Sequence, residues 1–184
     1  MMWSEARACH SPEHIVRWRT GCQRRPTALV SALVSEGRSL DIRRLFDAEP
    51  FLGYLGLEVV EARAGTAVLR LPLRREVTNH AASVHGGAQY ALGEATAITL
   101  AATLFAEQVA DLNLLTARAS IDYSSLARGT LTARAELPAK ECERIRAEFG
   151  ARGRERFPVA VALTDADGTV ATMLAVEVAV RSRA

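Results

Sequence analysis

Several things are scarce in this sequence. Lysine is almost missing: of 23 basic residues only Lys140 is a lysine, and the rest are arginines. With alanine so abundant, that bias reads as genome composition and not as a basic binding surface. The net charge of only +2 makes no demand for nucleic acid or an anionic membrane as a partner. There are three cysteines, Cys9, Cys22 and Cys142, an odd and scattered set that forms no disulfide framework and points to a reducing compartment. Cys9, His10, His14 and Cys22 fit no metal-finger spacing, so no metal is expected. Long apolar runs are also missing, and nothing reaches the roughly 18 residues that a membrane span needs. The short run in "RRPTALVSALVSEG" is interrupted by Ser31 and Ser35 and lacks a small-x-small cleavage site, so a cytoplasmic protein is expected. No internal repeat is evident.

The 184 residues are enough for one domain with a sizeable core, and 49% apolar with 24% charged is ordinary for a globular protein. Residues 1–39 stand apart from the rest. They hold both tryptophans, no strand alternation and an excess of arginine over acid. They are read as a loosely packed extension, with a targeting peptide as the other reading. Residues 40–184 are read as the folded domain.

Within that domain, Asp41 opens a short helix, "IRRLFDAE", expected to end near Pro50. "LEVVEAR" and "TAVLRLPL" alternate like strands joined by Ala64-Gly65. Residues Gly86 to Glu107 contain no proline and are apolar on nearly every face, which predicts a long buried helix. In "LNLLTARASIDY" strict alternation puts Leu115, Ala117, Ala119, Ile121 and Tyr123 on one face, and Thr116, Arg118, Ser120 and Asp122 on the other. "TLTARAEL" follows a turn at Arg128-Gly129. "PAKECERIRAEFGARGRERF" reads as an exposed charged helix from Pro138 to Gly150 or Gly153. "PVAVALTD" and "TVATMLAVEVAV" form a hairpin across Ala166-Asp167-Gly168. The class is therefore α+β, one antiparallel sheet wrapped around one long central helix.

The stretch "NHAASVHGGAQYALGEATA" places Asn79, then His85-Gly86-Gly87, then Glu94 nine residues after the histidine. With the strand order and the buried helix, this pattern resembles the hotdog-fold acyl-CoA thioesterases of the PaaI-like superfamily over residues 45–182. The inserted helix is similar to that of the branch containing thioesterase-like domains of unknown function. The resemblance implies hydrolysis of an acyl-CoA or acyl-ACP thioester, no cofactor, and a homodimer or dimer of dimers with sites across the interface. It implies that the Gly86 N–H binds the oxyanion, with Gly87 beside it, and that Thr116 holds the catalytic water.

Chemically, free N–H groups at a helix start suit an oxyanion, and glycine lets a ligand approach the backbone; otherwise Gly86 and Gly87 simply make a tight strand-to-helix turn, and Thr116 is a plain strand threonine. A buried Glu94 is costly unless it is paired or used, so it is a general base, a nucleophile, or half of a salt bridge. Asn79 and His85 orient substrate or water, or else serve a turn and a helix cap. Arg128 meets a CoA phosphate or is an ordinary surface arginine. Gly86 and Glu94 lie about 12 Å apart along one helix, so a second, antiparallel copy of the helix is needed to bring them to one thioester. Two other readings stay open. One is a non-catalytic acyl-CoA-binding hotdog protein. The other is a hydroxyacyl-thioester dehydratase using His80 and Glu94, which resembles the histidine–glutamate spacing of those enzymes but lacks their intervening prolines.

Overall fold

A computed structural model of the chain describes residues 49–183. The order of elements is α1 (Pro50–Leu55), β1 (Glu58–Arg63), β2 (Thr66–Leu71), α2 (Gly86–Leu104), β3 (Leu112–Tyr123), β4 (Leu131–Glu136), α3 (Ala139–Arg152), β5 (Arg154–Thr164) and β6 (Val170–Ser182). The six strands form one antiparallel sheet in the order β1-β2-β4-β5-β6-β3, which leaves β1 and β3 as edges. The sheet wraps around α2, as the sequence pattern predicts.

The packing follows from the residues. Fourteen of the nineteen residues of α2 are buried, so this helix is the core and not a decoration on it. Two of its three buried threonines bond within the helix: Thr96 donates to the Leu92 carbonyl and Thr103 to that of Leu100. Against it lie the inward residues of the strands, among them Leu69 and Leu71 of β2, Leu131 and Ala133 of β4, and Val159, Val161, Val176 and Val178 of the β5–β6 pair. Gly93 sets the distance. A Cβ there would lie 2.6 Å from Leu174 Cδ2 and 2.7 Å from its Cδ1, so only glycine lets the helix settle this close to β6.

Several sequence expectations are corrected. The helix expected over residues 41–49 lies outside the described residues save for Glu49, and Pro50 starts a helix instead of ending one. Proline suits a first helical position, where its fixed φ fits and its missing N–H would have had no partner. Helix α2 stops at Leu104, short of Glu107, because Phe105 leaves helical geometry. Nor is α2 apolar and buried all round: Gly86, Tyr90, Glu94 and Ile98, four residues apart, form a half-exposed stripe.

Helix α3 is not simply an exposed charged helix. It buries Cys142, Ile145 and Phe149, and ends at Gly153 with φ 63°. Burial pushes the Cys142 thiol up. Phe149 packs on Phe105 with ring centroids 5.0 Å apart, and Arg146 Nε donates to the Leu104 carbonyl at 2.9 Å. The inserted helix thus closes the C-terminal end of α2, where a cation also complements the helix dipole.

The largest departure is in β3. Its register with β6 shifts between Thr116 and Arg118, leaving Ala117 as a bulge with no partner. Before the bulge, Leu114 and Thr116 lie opposite buried Val180 and Val178; after it, Ala119 and Ile121 lie opposite buried Val176 and Leu174. The extra residue switches the inward parity from even to odd. Thr116 therefore belongs to the inner face, apart from Arg118, Ser120 and Asp122, and Leu115 is turned out with 53% exposure. The strict alternation expected across this strand is wrong.

Candidate active site

The segment between β2 and α2 is built by short-range hydrogen bonds. Asn79 Oδ1 accepts from Ala81 N–H (2.9 Å), Ser83 N–H (3.2 Å) and Ser83 Oγ (3.1 Å). The asparagine oxygen is fully used in folding this loop, the kind of local closure asparagine favours. Val84 N–H donates to the Ala127 carbonyl (2.9 Å) and His85 N–H to that of Val77 (2.8 Å), which ties the loop to the segment carrying Arg128 and to the one after β2. Gln89, buried in α2, donates to the Val84 carbonyl at 2.7 Å and accepts from the Thr172 hydroxyl. The start of α2 is held from several directions.

His85 caps α2. Its Nδ1 accepts from Gly87 N–H at 2.9 Å, while its carbonyl accepts from Ala88 and Gln89. The expected pair of free donors is thus reduced to one. Gly87 N–H is engaged, whereas Gly86 N–H meets no acceptor among the described residues. Gly86 lies under Tyr123, which the sequence reading did not single out. The Tyr123 hydroxyl donates to the Gly86 carbonyl at 3.1 Å, and a Cβ on Gly86 would come within 3.0 Å of that oxygen. The absence of a side chain at Gly86 is therefore a matter of space as well as turn geometry. Arg128 stands exposed at the turn before Gly129 (φ 74°), next to Ala127, and makes no ion pair among the described residues.

Glu94 lies elsewhere. It is half-buried and lines a cavity of about 340 Å³ between the C-terminal half of α2 and the start of β3. Thr116, brought inward by the bulge, lines the same cavity, and its hydroxyl is buried with no hydrogen-bond partner among the described residues. Among the described residues Glu94 makes no salt bridge, so the simple arginine pairing considered for it is not formed there. Burial, and then the Glu94 charge, push the carboxyl of Glu49 and the phenol of Tyr90 up from their ordinary ranges. None of Asn79, His85, Gly86, Gly87 or Arg128 lines this cavity. The structure thus sorts the predicted residues into two groups, a helix-start group and a carboxylate–hydroxyl group. They lie about 12 Å apart along α2. His80 is exposed in the loop and does not line the cavity, so one chain does not bring His80 and Glu94 together. Among the described residues no group of three or more His, Cys, Asp or Glu is placed to hold a metal, and no helix is long and apolar enough to cross a membrane.

A family model described as a domain of unknown function, DUF4442, matches residues 38–180. The chain belongs to the DUF4442 family. Its architecture is shared with solved proteins. A Pseudomonas aeruginosa protein, PA5026, described as of unknown function and a probable thioesterase, is 26% identical over 74% of this chain and 90% of that one, with TM-score 0.67. A protein of unknown function from Chlorobaculum tepidum is 17% identical over 77% and 93%, with TM-score 0.68. The E. coli PaaI protein from the phenylacetic acid degradation operon is 14% identical over 78% and 91%, with TM-score 0.59. No curated protein matches the chain. This DUF4442 chain has the hotdog fold, and its likeness to the PaaI-like proteins is borne out in the architecture.

Proposed function

We propose that the protein hydrolyses acyl thioesters, carried by CoA or acyl carrier protein, to the free acid and the thiol. The observation that carries this reading is the Glu94 carboxylate, unpaired among the described residues, sharing a mostly apolar cavity with the Thr116 hydroxyl, which has no partner among them either. A carboxylate and a hydroxyl can hold one water between them. Glu94 takes its proton as the oxygen attacks the thioester carbon; alternatively Glu94 attacks directly, forming an anhydride that water then opens. In either case the C–S bond breaks, the thiolate leaves and is protonated, and the carbonyl oxygen passes through an oxyanion. The Gly86 N–H, without an acceptor among the described residues, lies at the positive end of α2 and suits that charge. The likeness to the P. aeruginosa probable thioesterase supports the same class of chemistry.

The two groups meet in this reading through a second copy of the chain. Gly86, Tyr90, Glu94 and Ile98 form one half-exposed stripe, and Tyr90 is midway between Gly86 and Glu94. An antiparallel pair of α2 helices crossing near Tyr90 sets each Gly86 opposite the other chain's Glu94. Arg128 then lies on the helix-start side, suited to a CoA phosphate, and Gly87 borders the substrate. Asn79 and His85 act by holding the loop and the cap that present Gly86. The proposal places the protein in the cytoplasm, working as a homodimer or dimer of dimers without a cofactor.

The test is a panel of acyl-CoA thioesters followed by thiol release, with wild type and Glu94→Gln. The amide keeps the shape and loses the base, so turnover is expected to fall by about 100-fold or more. Glu94→Gln activity within threefold of wild type, in folded protein, counts decisively against the assignment. Thermal stabilisation by CoA esters without turnover identifies a non-catalytic binder instead.

A further inference from the structure

The cavity at Glu94 has a shape that the hydrolytic reading does not use. On the helix side it is lined by Glu94, Ile98 and Ala102, and on the strand side by Thr116, Leu114 and Leu112. Chain direction orders these walls. Helix α2 runs from Glu94 towards its end at Leu104, and the chain returns along β3 from Leu112 to Thr116. Glu94 and Thr116 therefore share one end, and Ala102 and Leu112 share the other. The distance from Glu94 to Ala102 is about 12 Å at 1.5 Å per residue. The space is a slot with Glu94, Thr116 and, beside Glu94, Glu49 at one end, and walls beyond them that are aliphatic but for Thr99. At the far end Arg183, whose backbone N–H is tied to the Asp111 carbonyl at 2.8 Å, brings a cation to the rim.

We infer that this slot holds the acyl chain and selects acyl groups of about eight to eleven carbons. The inference rests on the thioesterase reading for the identity of the ligand. The length comes from the cavity alone. An extended alkyl chain of roughly 1.5 Å bonds advances roughly 1.25 Å per carbon, so walls about 12 Å long cover about nine or ten carbons. Short acyl groups leave the aliphatic walls uncovered. Longer ones pass Leu112 and reach the Arg183 guanidinium, where further methylenes gain no apolar contact. Each methylene that enters the slot raises kcat/KM by up to about fourfold, and the gain stops once the slot is full.

The experiment measures kcat/KM for straight-chain acyl-CoAs from two to sixteen carbons. In parallel, calorimetry gives Kd for the matching alkyl-CoA thioethers, which cannot be hydrolysed. The expected result is a steep rise in both series that ends between eight and eleven carbons. Ala102→Leu fills the far end with three carbons and is expected to move the break about three carbons shorter. Ile98→Ala removes three carbons from the wall and moves it longer, and serves if Ala102→Leu fails to fold. Turnover with a flat profile, an optimum at two to four carbons, or a rise continuing to sixteen overturns the slot while leaving hydrolysis intact. A length break in thioether binding without turnover keeps the slot and overturns hydrolysis. Neither turnover nor length-dependent binding overturns both.

Discussion

If Gly86 of one chain serves Glu94 of its partner, two inactive variants should restore each other. The first is Glu94→Ala, which removes the carboxylate from the cavity it shares with Thr116. The second is Gly86→Val. Its Cβ would lie 3.0 Å from the Tyr123 hydroxyl, at the far end of a half-exposed side chain, so the ring is pushed aside and the branched side chain covers the approach to the N–H. Losing a general base or an oxyanion donor typically lowers the rate 100-fold or more, so each parent should fall to about 1% of wild type or below. In the mixed dimer one site joins the intact Gly86 of the first chain to the intact Glu94 of the second, and the other site carries both defects. Isolated by two different affinity tags, the heterodimer should show about half of wild-type turnover per dimer. Unsorted co-expression, in which about half the dimers are mixed, should show about a quarter. The assay is thiol release from the best acyl-CoA of the panel, with dimerisation of both parents checked by light scattering. A heterodimer as inactive as its parents refutes the shared site and leaves Glu94 to act within its own chain or not at all.

Three further outcomes are expected. Gly93→Ala gains helix propensity of about 1 kcal/mol, but its Cβ would overlap both Leu174 methyls, at 2.6 and 2.7 Å, and overpacking of a core costs about 1–3 kcal/mol. The net is a destabilisation of up to about 2 kcal/mol, and a midpoint of thermal unfolding at or above wild type shows that β6 yields without strain. Asn79→Ala removes the acceptor of three loop hydrogen bonds and should lower both stability and turnover. His85→Ala releases only the Gly87 cap, and each variant is expected to lose roughly 10- to 1000-fold in kcat. Normal rates in both confine the two residues to structure. Deleting residues 1–39 should leave a folded, active protein, as gel filtration and the same thiol assay will show.

Much of this fold was legible because burial writes a period into the sequence. β6 alternates through Leu174, Val176, Val178 and Val180, all buried, and its hairpin with β5 turns at Gly168 with φ 81°. The inward face of α3 is equally legible: Cys142, Ile145 and Phe149 stand three and four residues apart, the spacing of a packed helical stripe beneath the surrounding charges. The end of α2 was not legible, since "LFAEQ" carries no glycine or proline to stop a helix. What ends it is tertiary: Phe105 turns to pack on Phe149, and Arg146 takes the Leu104 carbonyl.

The bulge at Ala117 explains why the candidate site was legible residue by residue but not as an assembly. "LNLLTARASIDY" supports an even or an odd inward face about equally, and alanine accepts either side, so periodicity alone has no means of locating a switch of parity. Without the switch, Thr116 and Tyr123, seven residues apart, would face opposite sides of the sheet. With it, Thr116 reaches the Glu94 cavity and Tyr123 reaches Gly86, both on the same helix. One extra residue in an edge strand thus lets β3 serve both groups of the site. The distance between Gly86 and Glu94, by contrast, was fixed by sequence spacing, because eight residues of helix have only one length. The proposal of a second α2 rests on that length and not on any contact within the chain.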